Sequence, residues 1–321
     1  MDKNLQNLVF AIDIGGTYTK IGLVNKNGLV IESYRFSTDA KLPYNIFLEK
    51  LSKEIHKLIK PNTHSIEAVG IGAPNASYIT GKMISPPNFV WGANVAIRQD
   101  IEQLLKLPTY ITNDANAAAL GELYFGSGKS MVNFVVLTLG TGLGSGIIND
   151  GKLIYGQYGM AGELGHVNVF PDGRQCNCGL KGCLETYASV TGIKRTVFEL
   201  LSNNNSESLL RSYSYDQLDG KIISDAAHQG DIIALKAFEV TAKILGRKIA
   251  DTVAHLEPEA FILSGGLSHA GDLFIKPLKN YMEDNLFKAY KNKIKIILSN
   301  TTSSNSILGP AALALQELHK D

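Results

Sequence analysis

A chain of 321 residues is long for one hydrophobic core, so two domains are expected. Lysine and arginine number 31 against 30 aspartates and glutamates, and this net charge of +1 argues against nucleic acid or an anionic membrane as the main partner. Hydrophobic residues at 45% suit a soluble globular protein, and three tightly spaced cysteines do not suit an extracellular disulfide framework.

The opening MDKNLQN is polar, and the apolar run after it, LVFAIDI (8–14), makes neither a signal peptide nor a membrane span. The chain is therefore read as cytoplasmic. That run has strand length and ends at Gly15 and Gly16. KIGLVNKNGLVIESYRF reads as two strands joined by an Asn27-Gly28 hairpin turn. A helix is expected at about 44–60, with Ile46, Phe47, Leu51, Ile55 and Leu58 on one face and Pro61 beyond its end. IEAVGIGA (66–73) is a buried strand, VAIRQDIEQLL (95–105) an amphipathic helix, TYIT (109–112) a short strand, and an Ala-rich helix begins at Asp114.

The segment VNFVVLTLGTGLGSGIINDG (132–151) restarts the pattern of strand, Gly-rich turn, strand and Asp-Gly turn. Such similarity between two halves predicts a duplicated α/β unit. SNNNSES (202–208) reads as a surface loop. A long helix (231–256), a strand (260–266), a helix (272–285), a strand (293–299) and a terminal helix from Gly309 complete the reading.

Three Gly-rich turns follow apolar strands: DIGGTYTK (13–20), TLGTGLGSG (138–146) and LSGGLSHAG (263–271). Such turns let backbone N–H groups converge on an anion, because glycine permits close approach and positive φ. Sharp hairpins use the same residues, but three such turns after buried strands favour nucleotide binding. GSGKS (126–130) is not a P-loop, because position 123 is Leu and the segment follows a helix. TLGTGLGSG runs into a strand rather than a helix, which disfavours a dinucleotide fold.

All three cysteines lie in QCNCGLKGC, with His166 upstream, giving H-x9-C-x-C-x4-C. Three thiolates and an imidazole make a closed tetrahedral Zn²⁺ site from His166, Cys176, Cys178 and Cys183. A Cys176–Cys178 redox pair is the competing reading; it leaves Cys183 and His166 unexplained.

The segment Glu163–His166 followed by CxCGxxGCxExxxS (176–189) resembles the zinc motif of the ROK family (repressors, open reading frames and kinases). The resemblance extends to both phosphate loops, PPN (86–88), ITNDANAAALGE (111–122) and GPAALA (309–314). It implies two RNase H-like, actin-like ATPase domains of α/β class with ATP and the hexose in a cleft between them. The first is expected at 1–116 plus 308–321 and the second at 117–307.

The resemblance also implies roles. Asp114 is the catalytic carboxylate, and at a helix N-terminus its pKa is expected to stay low. Asn88, Asn113, Glu163, His166 and Glu185 match the sugar-binding positions. Asp13, near Mg²⁺, belongs with Gly15, Gly16, Thr17 and Lys20 in the first phosphate loop. Thr138, Gly140, Thr141 and Gly142 belong to the second, and Gly265 and Gly266 lie against the adenosine. APNASYITGK (73–82) departs from the family: Asn75 stands where glycine is usual, and the following Asp is absent.

The function these features imply is ATP-dependent phosphorylation of a hexose 6-hydroxyl, foremost that of glucose. Fructose, N-acetylglucosamine and N-acetylmannosamine are the alternative acceptors. A sugar-responsive repressor is disfavoured, because only seven residues precede the first strand. The family's habit implies a homo-oligomer, a dimer or a tetramer.

Overall fold

A computed structural model describes residues 8–58, 65–300 and 305–320. The described residues form two compact units. Unit 1 draws on Met1–Met131, Gly146–Gly162 and Asn300–Asp321, and unit 2 on Val132–Ser145 and Glu163–Ser299.

The first half of the chain forms β1 (Leu8–Ile14), β2 (Tyr18–Asn25), β3 (Val30–Ser37), α1 (Tyr44–Leu58) and β4 (Ile66–Ala73). A small sheet follows, made of β5 (Ala76–Ser77), β6 (Lys82–Ile84) and β7 (Asn94–Val95). Then come α2 (Ile97–Leu105), β8 (Thr109–Asn113) and α3 (Asp114–Phe125). The second half runs β9 (Phe134–Leu139), β10 (Leu143–Asn149), β11 (Lys152–Leu153), α4 (Glu185–Ala188), α5 (Val190–Asn203) and α6 (Gly220–His228). It ends with α7 (Ile232–Leu256), β12 (Ala260–Ser264), α8 (Asp272–Asn285), β13 (Lys295–Leu298) and α9 (Leu308–Leu318), the last returning to unit 1. The expected end of the first helix near residue 60, with Pro61, lies outside the described residues. The expected domain boundary at 116/117 falls inside α3, which is one unbroken helix.

The two large sheets have matching orders, β3-β2-β1-β4-β8 and β11-β10-β9-β12-β13. In each, a Gly-rich turn joins the middle strand to its neighbour, and two parallel strands lie on the other side. The internal repeat read from the sequence is therefore a repeat of topology.

β1 shows why its sequence is a continuous apolar run. Leu8, Phe10, Ile12 and Ile14 join one core cluster with Phe47, Leu51 and Ile55 of α1. Val9 and Ala11 point the other way, into a second cluster with Ile307, Ala311, Ala314 and Leu315 around α9. Successive strand residues face opposite sides, so a strand covered on both faces is apolar throughout.

The α9 face is packed through small residues. A Cβ at Gly70 of β4 would lie 1.8 Å from the Pro310 carbonyl oxygen, and one at Gly309 would lie 2.3 Å from that of Ala117. GPAALA and the Ala-rich α3 are thus the sequence mark of backbones in close approach. Gly70→Ala should destabilise the protein by at least about 1–3 kcal/mol, because both obstructing atoms are backbone. A thermal melt checks this; an unchanged Tm would mean that α9 can shift at no cost.

Candidate active site

The first Gly-rich turn leaves β1 at Asp13, in unit 1. Gly15 N donates to Tyr18 O at 2.9 Å, Gly16 and Thr17 are exposed, and a Cβ at Gly16 would meet nothing within 4 Å. The turn is an open, narrow backbone loop. Asp13 is paired in register with Lys20 across β2. Burial raises the Asp13 carboxyl to about 6, opposed by a hydrogen bond with Ser306, and the negative charge of Asp114 adds to the rise. The same burial lowers Lys20, with Asp13 opposing.

Asp114 opens α3 directly after β8. Asn113 is the N-cap, its Oδ1 accepting from Ala115 N at 2.9 Å, while Asp114 Oδ1 accepts from the same N–H at 2.8 Å. Capping therefore does not require Asp114. The expected low pKa is corrected: the surrounding protein raises the Asp114 carboxyl above the ordinary range, and the Ala115 N–H only opposes that rise. The residue is nevertheless exposed to solvent.

Asn88 is exposed, with a left-handed φ of 68°. Asn75 also takes a left-handed φ, 49°, with its carbonyl accepting from Ile84 N at 2.9 Å. Asn tolerates this conformation better than most residues, which explains how it fills a place where glycine is usual.

Unit 2 carries the second set. Gly140 O accepts from Val190 N at 2.8 Å, and a Cβ at Gly140 would meet nothing within 4 Å. Thr138 lies opposite Ser264 in the β9–β12 register. A Cβ at Gly265 would lie 2.6 Å from the Leu139 carbonyl, so the second and third Gly-rich turns are stacked backbone on backbone. Glycine permits both close approach and positive φ, and these loops use the two at different positions. Gly265 has positive φ, at 92°, as does Gly271 at the end of the third turn, but Gly15, Gly16, Gly140 and Gly142 do not; their value is space, not handedness.

His166, Cys176, Cys178 and Cys183 converge, with ligand atoms all within 4.8 Å of one another. Cys178 Sγ and Cys183 Sγ are 3.6 Å apart, and Cys176 Sγ is 3.8 Å from His166 Nδ1. A disulfide needs about 2.05 Å between sulfurs; all three cysteines are free, and the convergence of Cys183 and His166 with the other two favours a metal site over a redox pair. Thiolates around one Zn²⁺ at about 2.3 Å would sit about 3.8 Å apart. Gly182, with φ 72°, brings Cys183 round: its carbonyl accepts from Val169 N at 2.7 Å, and a Cβ there would lie 1.7 Å from Phe170 O. Burial pushes Cys176 up to about 12, so three thiolates in this space call for a cation. The donor set and spacing fit zinc.

The two acids attach to this cluster on different sides. His166 Nε2 is 3.9 Å from Glu163 Oε2, so the ring turns Nδ1 to the sulfurs and Nε2 to the acid. Glu185 Oε1 lies 3.7 Å from Cys176 Sγ, and Oε2 accepts from Leu143 N at 2.9 Å. A Cβ at Gly142 would lie 2.3 Å from that Oε2. Glu185 thus links the cysteine cluster to the second Gly-rich turn.

Sequence reasoning missed Arg174. Its guanidinium donates to Thr186 O at 2.7 Å, Gly192 O at 3.0 Å and Thr196 Oγ1 at 2.9 Å, and lies over the Tyr187 ring at 4.4 Å. It pins the cysteine loop to α5. No sequence signal marks it, because a lone arginine before the cysteines reads as surface charge.

The ROK family model matches residues 9–317. The glucokinase of Halalkalibacterium halodurans is 34% identical, over 85% of this chain and 84% of that protein. The xylose repressor of Caldicellulosiruptor bescii is 31% identical, over 97% of this chain and 78% of the repressor. A crystal structure of a ROK family glucokinase from Streptomyces griseus with glucose and AMPPNP superimposes with a TM-score of 0.83 at 33% identity, covering 97% of this chain and 100% of that one.

Proposed function

The chain belongs to the ROK family, and we propose that it is an ATP-dependent hexose kinase converting glucose to glucose 6-phosphate. The observation that carries this reading is Asp114: an accessible carboxylate with a raised pKa at the first turn of α3, whose cap is supplied by Asn113 instead. A sugar hydroxyl is a poor nucleophile at neutral pH and needs a positioned acceptor for its proton. The glucokinase relative and the glucose–AMPPNP complex of another support the substrate pair.

The step balances as follows. The Asp114 carboxylate takes the proton of the 6-hydroxyl as that oxygen bonds the γ-phosphorus of ATP. The bond from the γ-phosphorus to the β,γ-bridging oxygen breaks, and ADP leaves. Asn88, Asn113, Glu163, His166 and Glu185 offer the mixed donors and acceptors that a ring of hydroxyls requires. Gly15–Thr17 and Thr138–Gly142 serve the phosphates, with Lys20 beside Asp13 and with Gly265 and Gly266 against the adenosine. Mg²⁺, held by Asp13 and the nucleotide, would neutralise phosphate charge; the raised Asp13 carboxyl beside Asp114 suits a cation partner. Zn²⁺ on His166, Cys176, Cys178 and Cys183 would hold Glu163 and Glu185 in place.

No described helix is long and apolar enough to cross a membrane, and three free cysteines suit a reducing compartment; we place the protein in the cytoplasm. A sugar-responsive regulator is the second reading, favoured by the xylose repressor relative. ADP release measured with Mg-ATP against glucose, fructose, N-acetylglucosamine and N-acetylmannosamine separates them. The highest kcat/KM is expected for glucose. Sugar binding without ADP formation on any of the four would leave the regulator.

A further inference from the structure

Thr38 follows β3 directly and is fully buried. Its Oγ1 donates to Gly15 O at 2.7 Å, and its N–H donates to Thr17 O at 2.9 Å. A hydroxyl has one proton, so Thr19 Oγ1, 2.8 Å away, is the donor in its contact with Thr38 Oγ1. One residue thus grips the first Gly-rich turn by two carbonyls.

The same short segment holds a second loop. Ala40 O accepts from Val90 N and Leu42 O from Trp91 Nε1, both at 3.1 Å. Trp91 is seated between Phe89, at 4.4 Å, and Phe47 of α1, at 4.5 Å. Val90 and Trp91 lie two and three residues beyond Asn88. The segment turns at Asp39, φ 53°, where Lys50 of α1 pairs with the Asp39 carboxylate at 2.7 Å. Residues 38–42 therefore form a strap within unit 1, fixed to α1, with one end on the Gly15–Thr17 turn and the other on the Asn88 loop.

We propose that Thr38 is a positioning residue for the nucleotide, and that the strap sets the Asn88 loop from the same anchor. With the Gly15 and Thr17 carbonyls held by Thr38, the peptide planes of the turn are fixed and their N–H groups face where phosphate binds. This role rests on the kinase reading.

The test compares Thr38→Val, which keeps the shape and loses the hydroxyl, with Thr38→Ser, which keeps the hydroxyl. Leaving a buried carbonyl without its donor should raise the KM for ATP about tenfold in Thr38→Val, with a smaller change in kcat. Thr38→Ser should return it to within about threefold of the parent, and Thr19→Val, which spares the Gly15 contact, should stay within about threefold too. Amide hydrogen exchange at residues 15–18, measured without substrate, should speed up in Thr38→Val alone. A general loss of packing would instead lower Tm in all three variants and leave the KM for ATP unmoved. Unchanged exchange and KM in Thr38→Val, or failure of Ser to rescue, would overturn the role. If the parent phosphorylates no hexose, the kinase reading falls, and exchange at 15–18 still decides whether Thr38 holds the turn. Should Thr38→Val not fold, Thr38→Ala carries the same comparison.

Discussion

Asp114→Asn is expected to lower kcat by about 10²–10⁴-fold, the contribution of a positioned general base, while glucose and ATP affinities stay near those of the parent. The change is nearly isosteric, and Asn113 already caps α3, so helix stability gives no alternative explanation. Stability has a definite sign. The folded Asp114 carboxyl titrates above its ordinary value of 3.8, so the ionised side chain disfavours the fold at neutral pH. That penalty disappears as pH falls below the unfolded value, and the Asn variant should therefore melt no lower than the parent at neutral pH. Activity has the opposite dependence. Asp114 must be ionised to accept a proton, so kcat/KM should fall with decreasing pH on an acid limb raised above the ordinary carboxylate range by burial. An Asn variant within about threefold of the parent kcat, far short of the expected range, would place the base elsewhere.

The second large effect concerns the cysteine cluster. The purified protein should contain one zinc per chain, and Cys183→Ser should lose most of it. Disturbing a metal site or its supports typically costs about 10–100-fold in metal affinity or activity. Here the loss should fall on the KM for the hexose, because Glu163 contacts His166 and Glu185 contacts Cys176. An effect on the KM for ATP should follow through Glu185, whose other oxygen holds Leu143 N beside the second Gly-rich turn. Metal analysis without zinc, or an unchanged hexose KM in Cys183→Ser, would contradict the assignment.

Legibility in the sequence followed the range of the forces involved. β1 was read to the residue because an apolar run bounded by glycines is a local signal, and α3 was read from its Asn-Asp start. The cysteine cluster was legible because its ligands lie within one short loop and His166. β5 to β7 were missed; strands of two or three residues carry no periodicity. α5 was missed as well, its start being fixed by the Ser189 hydroxyl accepting from Gly192 N rather than by composition. The direction of the Asp114 shift was misread because the N-terminal dipole is local, whereas burial depends on distant segments. Thr38 escaped for the same reason, since its partner Gly15 is 23 residues away.

The place of α9 in unit 1 has a consequence for synthesis on the ribosome. Val9, Ala11, Val24 and Ala68 belong to strands made early, yet the residues that cover them, Ile307 to Leu315, are made only after unit 2. During elongation the segments of unit 2 are made before α9, and one face of the first sheet stays bare in the meantime. That apolar face is then available to chaperones and to wrong partners until α9 emerges. A chain truncated before Ile307 should leave the first sheet open to protease, and a peptide of residues 305–320 supplied in trans should restore its protection.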